Sequence, residues 1–136
     1  MLKYSIINPQ ILSLLARVRH TNMLVISDRG FPFWPQIETV DISLSDDIPT
    51  VLQALTIIRP SMDLAEIIMA EEFREENPPH LQSLFISAAK DTPIKYIPHS
   101  ELKKCVPDAI GLIRTGDTTQ YANMILISGL PVQKEE

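Results

Sequence analysis

The chain has 136 residues, 45% of them hydrophobic, and a formal net charge of -5. This length supports one hydrophobic core, so we expect a single domain over residues 1–136. The negative charge argues against a protein that holds nucleic acid phosphates by bulk electrostatics. No apolar run approaches the roughly 18 residues that a membrane span needs, and the amino terminus has no signal-peptide pattern. The single cysteine, Cys105, cannot form an internal disulfide, which is typical of a protein in a reducing cytosol. We therefore expect a cytoplasmic protein and, since no membrane span is predicted, no membrane partner.

Hydrophobic spacing and capping residues predict alternating helices and strands. Asn8 and Pro9, for example, suit the cap and the first position of a helix, and the apolar run 23–26 is typical of a buried strand. In chain order we predict a helix over 10–18, strands over 23–26 and 39–42, a helix over 51–58 preceded by cap-type residues at 45–49, a strand over 64–70, a helix over 80–89, a strand over 94–97, a short helix capped by Ser100 and reaching Cys105, and strands over 109–113 and 124–128. This alternation predicts an α/β fold with helices layered on a sheet.

Polar side chains stand near the ends of several predicted strands, where open α/β sheets collect their ligands. They are His20, Asp28, His99, Lys103, Arg114, Asp117, Tyr121 and Asn123. Each also has a purely structural interpretation; for example, Arg114 and Asp117 could pair across a turn. The sequence contains no phosphate-binding loop, dinucleotide fingerprint, nucleophile elbow or zinc pattern.

His20 and Asp28 flank the predicted strand at 23–26. An extended strand rises about 3.3 Å per residue, so roughly 26 Å would separate the two side chains. Only a bend could bring both to one ligand. The alternative is that the two residues have separate structural roles, with His20 at the end of a helix and Asp28 at the start of a turn before Gly30.

Taken together, these residues resemble the RbsD/FucU family of ribose pyranases and fucose mutarotases, and the resemblance runs nearly end to end. The segments that carry it are His20-Thr21, Asp28-x-Gly30, Val40-Asp41, Ala70-Glu71-Glu72 followed by Asn77-Pro78, Ile94-x-Tyr96, His99-x-x-x-Lys103, Ile113-Arg114-Thr115-Gly116-Asp117 and Tyr121-Ala122-Asn123. Their order and spacing are more specific than any single match.

The resemblance implies a sugar ring-form isomerase with the α/β sandwich of the family, assembled as a ring-shaped decamer. His20 would be the catalytic acid and base, and the sugar would be bound by Asp28, His99, Lys103, Tyr121 and Asn123. Opening a hemiacetal requires one proton to leave the anomeric hydroxyl and one to reach the ring oxygen. An imidazole can do both near neutral pH, so neither a cofactor nor a metal is expected.

The sugar is expected to be D-ribose, because Tyr121-Ala122-Asn123 favours the ribose branch, although Phe31-Pro32 favours the fucose branch. Arg19, Asn22 and Arg29 depart from the common family pattern, which has Gly, Asp and a small residue there. Arg29 could pair with Asp28, narrow the pocket or prepare it for an anionic sugar. The alternatives are an L-fucose-type mutarotase and a non-catalytic sugar-binding or transport-accessory protein.

Residues 31–35, Phe-Pro-Phe-Trp-Pro, form what we call the aromatic loop. Exposed apolar rings are costly on a small monomer, and aromatic side chains dominate protein interfaces. Together with the family resemblance, this favours a position of the loop at a contact between subunits, close to the sugar site. The alternative is that Phe31 and Trp34 fold back onto their own core.

Overall fold

The computed structural model describes residues 1–3 and 6–130, which form a six-stranded mixed sheet with helices on both faces. Residues 4–5 and 131–136 of the expected domain lie outside the described part. The helices are α1 (Pro9–Arg17), α2 (Val51–Ile58), α3 (Glu71–Glu76), α4 (Pro79–Ala89) and α5 (His99–Cys105). The strands are β1 (Met23–Ser27), β2 (Glu38–Asp41), β3 (Leu64–Ala70), β4 (Ile94–Ile97), β5 (Gly111–Arg114) and β6 (Met124–Ser128). None of the described helices is long and apolar enough to cross a membrane.

The strand order is β2-β5-β1-β6-β3-β4. Strand β6 runs antiparallel to both of its neighbours, whereas the other five strands point in one direction. The carboxyl ends of five strands therefore meet the start of β6 at one side of the sheet, which we call the carboxyl edge. The opposite side, where the five strands begin and β6 ends, is the amino edge.

Side chains of the central strands alternate between two cores, as the pleat of a strand requires. On β1, Leu24 and Ile26 pack with α1, α2 and α4, whereas Val25 packs with α5 and the aromatic loop. Because both faces are covered, this strand is apolar at consecutive positions. That double burial is the reason why the run 23–26 indicates a strand from sequence alone.

Local signals predict most elements correctly. Asn8 caps α1 as expected, since its Oδ1 accepts the N–H of Ile11 at 2.9 Å. The cap of α2 is Thr50, one residue beyond the expected segment, and it forms a reciprocal capping box with Gln53. The prediction of a Ser100 cap is wrong, because α5 already begins at His99, directly after Pro98. Helix α3 is not predicted, since β3 passes into it without a turn.

The aromatic loop folds back onto the chain. Phe31 is only 5% exposed and Trp34 is half-buried, and their ring centroids lie 5.9 Å apart. Both pack into the core beside α5. Phe33, by contrast, keeps its ring in solvent, with 71% of the residue exposed. Of the three aromatic rings in this loop, Phe33 is therefore the one most exposed for a contact with another subunit.

Candidate functional site

An open pocket of about 550 Å³ lies at the carboxyl edge. This volume is within the range in which small molecules bind. Its lining comes from the loop after β1, the end of α3, the start of α5 and the loop between β5 and β6. The lining residues are Asp28, Arg29, Gly30, Phe31, Glu76, His99, Asp117, Thr118, Thr119, Gln120, Tyr121 and Asn123. Four of the predicted sugar-binding residues, Asp28, His99, Tyr121 and Asn123, are thus brought together.

Hydrogen bonds with Asn123 and Gly30 hold Asp28 in place in the lining of this pocket. The N–H of Asp28 donates to Oδ1 of Asn123 at 2.8 Å, and Asn123 is itself almost fully buried just before β6. Its carboxylate accepts the N–H of Gly30 at 3.0 Å. Burial raises the pKa of Asp28, and hydrogen bonds from the Gly30 and Phe31 amides oppose that rise. The side chain can therefore accept a hydrogen bond from a ligand hydroxyl.

His99 begins α5, and Glu72 holds it there. Both carboxylate oxygens of Glu72 accept the backbone N–H of His99 at 3.1 Å. The imidazole stands nearly perpendicular to the Tyr121 ring, with the centroids 5.1 Å apart, and also contacts Phe31. Burial, followed by the Lys103 ammonium, lowers the pKa of His99, while Glu72 and Asp28 oppose the shift. The ring therefore stays neutral to a lower pH than an ordinary histidine.

Asp117 is buried and builds the loop between β5 and β6 rather than facing Arg114. Its Oδ2 accepts the N–H of Val51 at 2.8 Å, and its Oδ1 accepts the N–H of Thr119 at 2.7 Å. The carboxylate thus joins the start of α2 to the pocket wall. The alternative in which Arg114 pairs with Asp117 is not what the structure shows, because the Arg114 guanidinium donates to backbone carbonyls of the loop after β1.

Two cations lie beside the pocket. Lys103 follows His99 by one turn of α5 and is half-buried, but it is not among the residues that line the pocket. Arg29 does line it, yet its guanidinium pairs with Asp46 at 2.6 Å, and both side chains are mostly exposed. The possibility that Arg29 pairs with Asp28 is therefore not what the structure shows.

His20 lies at the amino edge, on the other side of the sheet. It is exposed beside Asp63, Ser128 and Gly129. Strand β1 begins at this edge and ends at the opposite one, where Asp28 follows it. No bend of β1 brings the two residues together. Within one chain, His20 and the other predicted site residues do not form one site.

The turn that carries His20 is well ordered. Oδ1 of Asn22 accepts the N–H of Arg19 at 2.8 Å, and Thr21, at a φ of 69°, donates its N–H to the carbonyl of Ser128 at 2.8 Å. A side-chain oxygen at position 22 is what closes this turn, and an aspartate could supply the same acceptor. Gly129 leaves room for the imidazole, since a Cβ there would lie 3.1 Å from Nδ1 of His20.

The sequence analysis does not single out Glu72 and Glu76 as individual site residues. Glu76 lines the pocket from the end of α3, and Glu72 acts through the backbone of His99. Both positions depend on a helix that directly follows a strand, for which the sequence contains no turn or cap signal.

Comparison with known proteins identifies the family of this chain. The RbsD / FucU transport protein family matches residues 1–131. A D-ribose pyranase of Halalkalibacterium halodurans is 37% identical over 130 residues, which cover 96% of this chain and 98% of that protein. The structure of Bacillus subtilis RbsD complexed with D-ribose superposes with a TM-score of 0.88 at 30% identity, covering 97% of this chain and all of that one. A fucose mutarotase of Streptococcus pneumoniae, solved with L-fucose, shares the fold at 19% identity and a TM-score of 0.77, over 97% of this chain and all of its own.

Proposed function

The chain belongs to the RbsD/FucU family, and we propose that it is a sugar ring-form isomerase that interconverts the pyranose and furanose forms of D-ribose. One observation carries this proposal. The carboxyl-edge pocket gathers a carboxylate, an imidazole, a phenol and an amide in a chain 37% identical to a D-ribose pyranase. Such donors and acceptors are what a polyol requires.

In this proposal, Asp28, His99, Tyr121 and Asn123 bind the sugar. Asp28 and the neutral His99 have the polarity to bind ring hydroxyls, and the rings of His99 and Tyr121 form one wall. Lys103 supports this set through the charge that it places near His99. Arg29 stands at the rim, where its pairing with Asp46 leaves the Asp28 carboxylate available.

His20 is the acid and base in this proposal, and it reaches the sugar from a second copy of the chain. Two observations support this arrangement: His20 is exposed on an ordered turn at the amino edge, and the carboxyl-edge pocket is open to solvent. The amino edge of one copy then faces the carboxyl edge of the next. Contacts of this head-to-tail kind repeat around a closed ring, in keeping with the ring-shaped decamer that the resemblance implies.

The reaction needs proton transfers only. The imidazole takes the proton of the anomeric hydroxyl as the bond between the anomeric carbon and the ring oxygen breaks, and the resulting imidazolium gives a proton to the ring oxygen. A different hydroxyl then adds to the open-chain aldehyde, and the protons move in the reverse sense. Positioned acid–base catalysis of this type contributes about a hundred- to ten-thousand-fold in rate.

Saturation-transfer NMR on D-ribose tests the proposal. The wild-type protein is expected to accelerate exchange between β-pyranose and β-furanose, and His20→Gln is expected to abolish the gain while ribose still binds. His80→Gln is the matched control, because His80 is exposed at the start of α4 and lines neither the carboxyl-edge pocket nor the surface around His20. Normal exchange in His20→Gln would contradict the assigned role of His20.

The same measurements separate the two alternatives. Ribose binding without any acceleration by the wild type would indicate a non-catalytic sugar-binding protein. Acceleration of L-fucose anomer exchange, with no effect on ribose, would indicate a fucose-type mutarotase.

A further inference from the structure

Arg114, the last residue of β5, connects that strand to the loop that follows β1. Its guanidinium donates to four backbone carbonyls of this loop. The acceptors are the carbonyl oxygens of Asp28 at 3.4 Å, Arg29 at 3.2 Å, Phe31 at 2.7 Å and Pro32 at 3.1 Å. A planar guanidinium carries five donors in a fixed fork, so a single side chain can bind several carbonyls that converge on it.

The loop held in this way forms part of the pocket. It carries the Asp28 carboxylate and the Phe31 ring, and the Phe31 ring contacts the His99 ring edge-on at 6.1 Å between centroids. It has no helix or strand of its own between β1 and β2. Its shape therefore depends on bonds from neighbouring elements, and Arg114 supplies the largest set of them.

Arg114 forms no ion pair with any residue that the structure describes. Among the described residues, the ion pairs join Arg17 with Glu38, Arg29 with Asp46, and Lys104 with Glu101. The nearby Asp117 carboxylate is occupied by the backbone of Val51 and Thr119. A half-buried guanidinium whose described partners are all carbonyls of one pocket loop acts on the shape of that loop.

We propose that Arg114 is a positioning residue of the sugar pocket: it fixes residues 28–32 so that the Asp28 carboxylate and the Phe31 ring keep their places against His99. The inference rests on the proposed function for the identity of the sugar. In the proposed complex, Asp28 binds the sugar and Phe31 lines its pocket in the ground state and in the transition state alike. Loss of Arg114 therefore raises KM and changes kcat much less.

Arg59 offers a matched control. It is also half-buried and donates its guanidinium to two carbonyls, those of Met62 at 3.2 Å and Ala89 at 3.3 Å, but it lies outside the lining of the pocket. Arg59→Met therefore removes bonds of the same kind from a place outside the lining of the pocket.

The test compares Arg114→Lys, Arg114→Met and Arg59→Met by NMR exchange kinetics, thermal unfolding and the emission of Trp34. Trp34 is the only tryptophan and packs on Phe31, so its emission reports on the loop. Both Arg114 variants are expected to raise the ribose KM by at least about tenfold, equivalent to one hydrogen bond to a charged group, and to shift the Trp34 emission to longer wavelength. Arg59→Met is expected to lower Tm and leave KM and emission unchanged.

Two outcomes would overturn the proposal. In the first, Arg114→Lys keeps the KM and the Trp34 emission of the wild type. In the second, Arg59→Met raises KM as much as the Arg114 variants do. If Arg114→Met does not fold, Arg114→Lys decides, because it keeps the charge and loses the fork. Failure of the proposed function is a separate result, in which the wild type leaves ribose exchange unchanged. The Trp34 emission and the hydrogen exchange of the Gly30 and Phe31 amides then still show whether Arg114 holds the loop.

Discussion

The two edges of the sheet hold their polar side chains in different ways. At the carboxyl edge, Asp28, His99 and Asn123 are buried or half-buried, and each is bonded to a neighbouring element. At the amino edge, His20 is exposed, and the turn that carries it is closed by Asn22 and by the carbonyl of Ser128. The carboxyl edge thus holds its polar side chains in place around a pocket, whereas the amino edge presents an imidazole outward. A reaction that needs both requires two copies of the chain.

The largest expected effect tests this division directly. His20→Gln and His99→Ala are each expected to be inactive alone, the first by loss of the acid–base group and the second by weak ribose binding. Co-expressed, they should recover about a quarter of the wild-type activity, because random pairing in a ring gives that share of pockets an intact His99 and a partner with an intact His20. Saturation-transfer NMR measures the activity, and native mass spectrometry verifies that the oligomers are mixed. A mixed but inactive oligomer would show that the two histidines do not act across chains.

Two asparagine variants are expected to separate binding from catalysis. Asn123→Ala leaves the N–H of Asp28 without its acceptor, which costs about 1–3 kcal/mol of stability and weakens ribose binding. Asn22→Ala opens the His20 turn at the other edge and should lower kcat without affecting ribose affinity. Denaturant unfolding and isothermal titration with ribose measure the two effects. Equal loss of affinity in both variants would contradict the division between the edges.

A smaller effect concerns pH at the carboxyl edge. The pKa of His99 is lowered, so its neutral form and the ribose binding that depends on it should persist below pH 6.5 and be lost as the pH falls further. Glu72→Gln removes a nearby negative charge and should lower this pKa again, whereas Lys103→Met should raise it. Histidine NMR titration follows the three imidazoles, which single variants assign. A His99 midpoint above 6.5 in the wild type would be incompatible with this environment.

The smallest effect is expected at the rim of the pocket. Asp46→Ala releases the Arg29 guanidinium from an exposed ion pair, and exposed pairs contribute little. Ribose affinity should change by less than about threefold, because Arg29 does not pair with Asp28. Titration with ribose and with a uronic acid measures this. A marked gain for the uronic acid would instead mean that Arg29 selects for anionic sugars.

Most of the fold was predictable because its helices and strands depend on residues that are close together in sequence. The cap of α1 depends on Asn8 and Ile11, and the buried β1 depends on an uninterrupted apolar run. Errors arise where these local signals are weak. Helix α3 follows β3 without a break, and α5 starts at His99 because Glu72, distant in sequence, binds its first N–H.

The sequence predicts the membership of the candidate site only in part, because His20 and Lys103 lie outside the lining of the pocket and Glu76 lines it. The residues Asp28, His99, Tyr121 and Asn123 follow from a pattern spread over the chain, and the structure places all four at one pocket. No pattern in the sequence indicates that Arg114 binds the loop carbonyls or that Asp117 joins α2 to the pocket wall. Those bonds connect residues more than sixty positions apart and depend on which strands are neighbours.

By itself, therefore, the sequence determined most of the elements and the α/β class, because periodicity and capping act over a few neighbouring positions, whereas the predicted site residues came from the resemblance to the RbsD/FucU family. The tertiary structure alone decided which of these residues meet. Five strands run one way and β6 runs the other, so the residues after β1 and β4 and those before β6 share the carboxyl edge, while His20 lies at the amino edge. Strand order and direction are set by long-range packing, which no local pattern of residues reports.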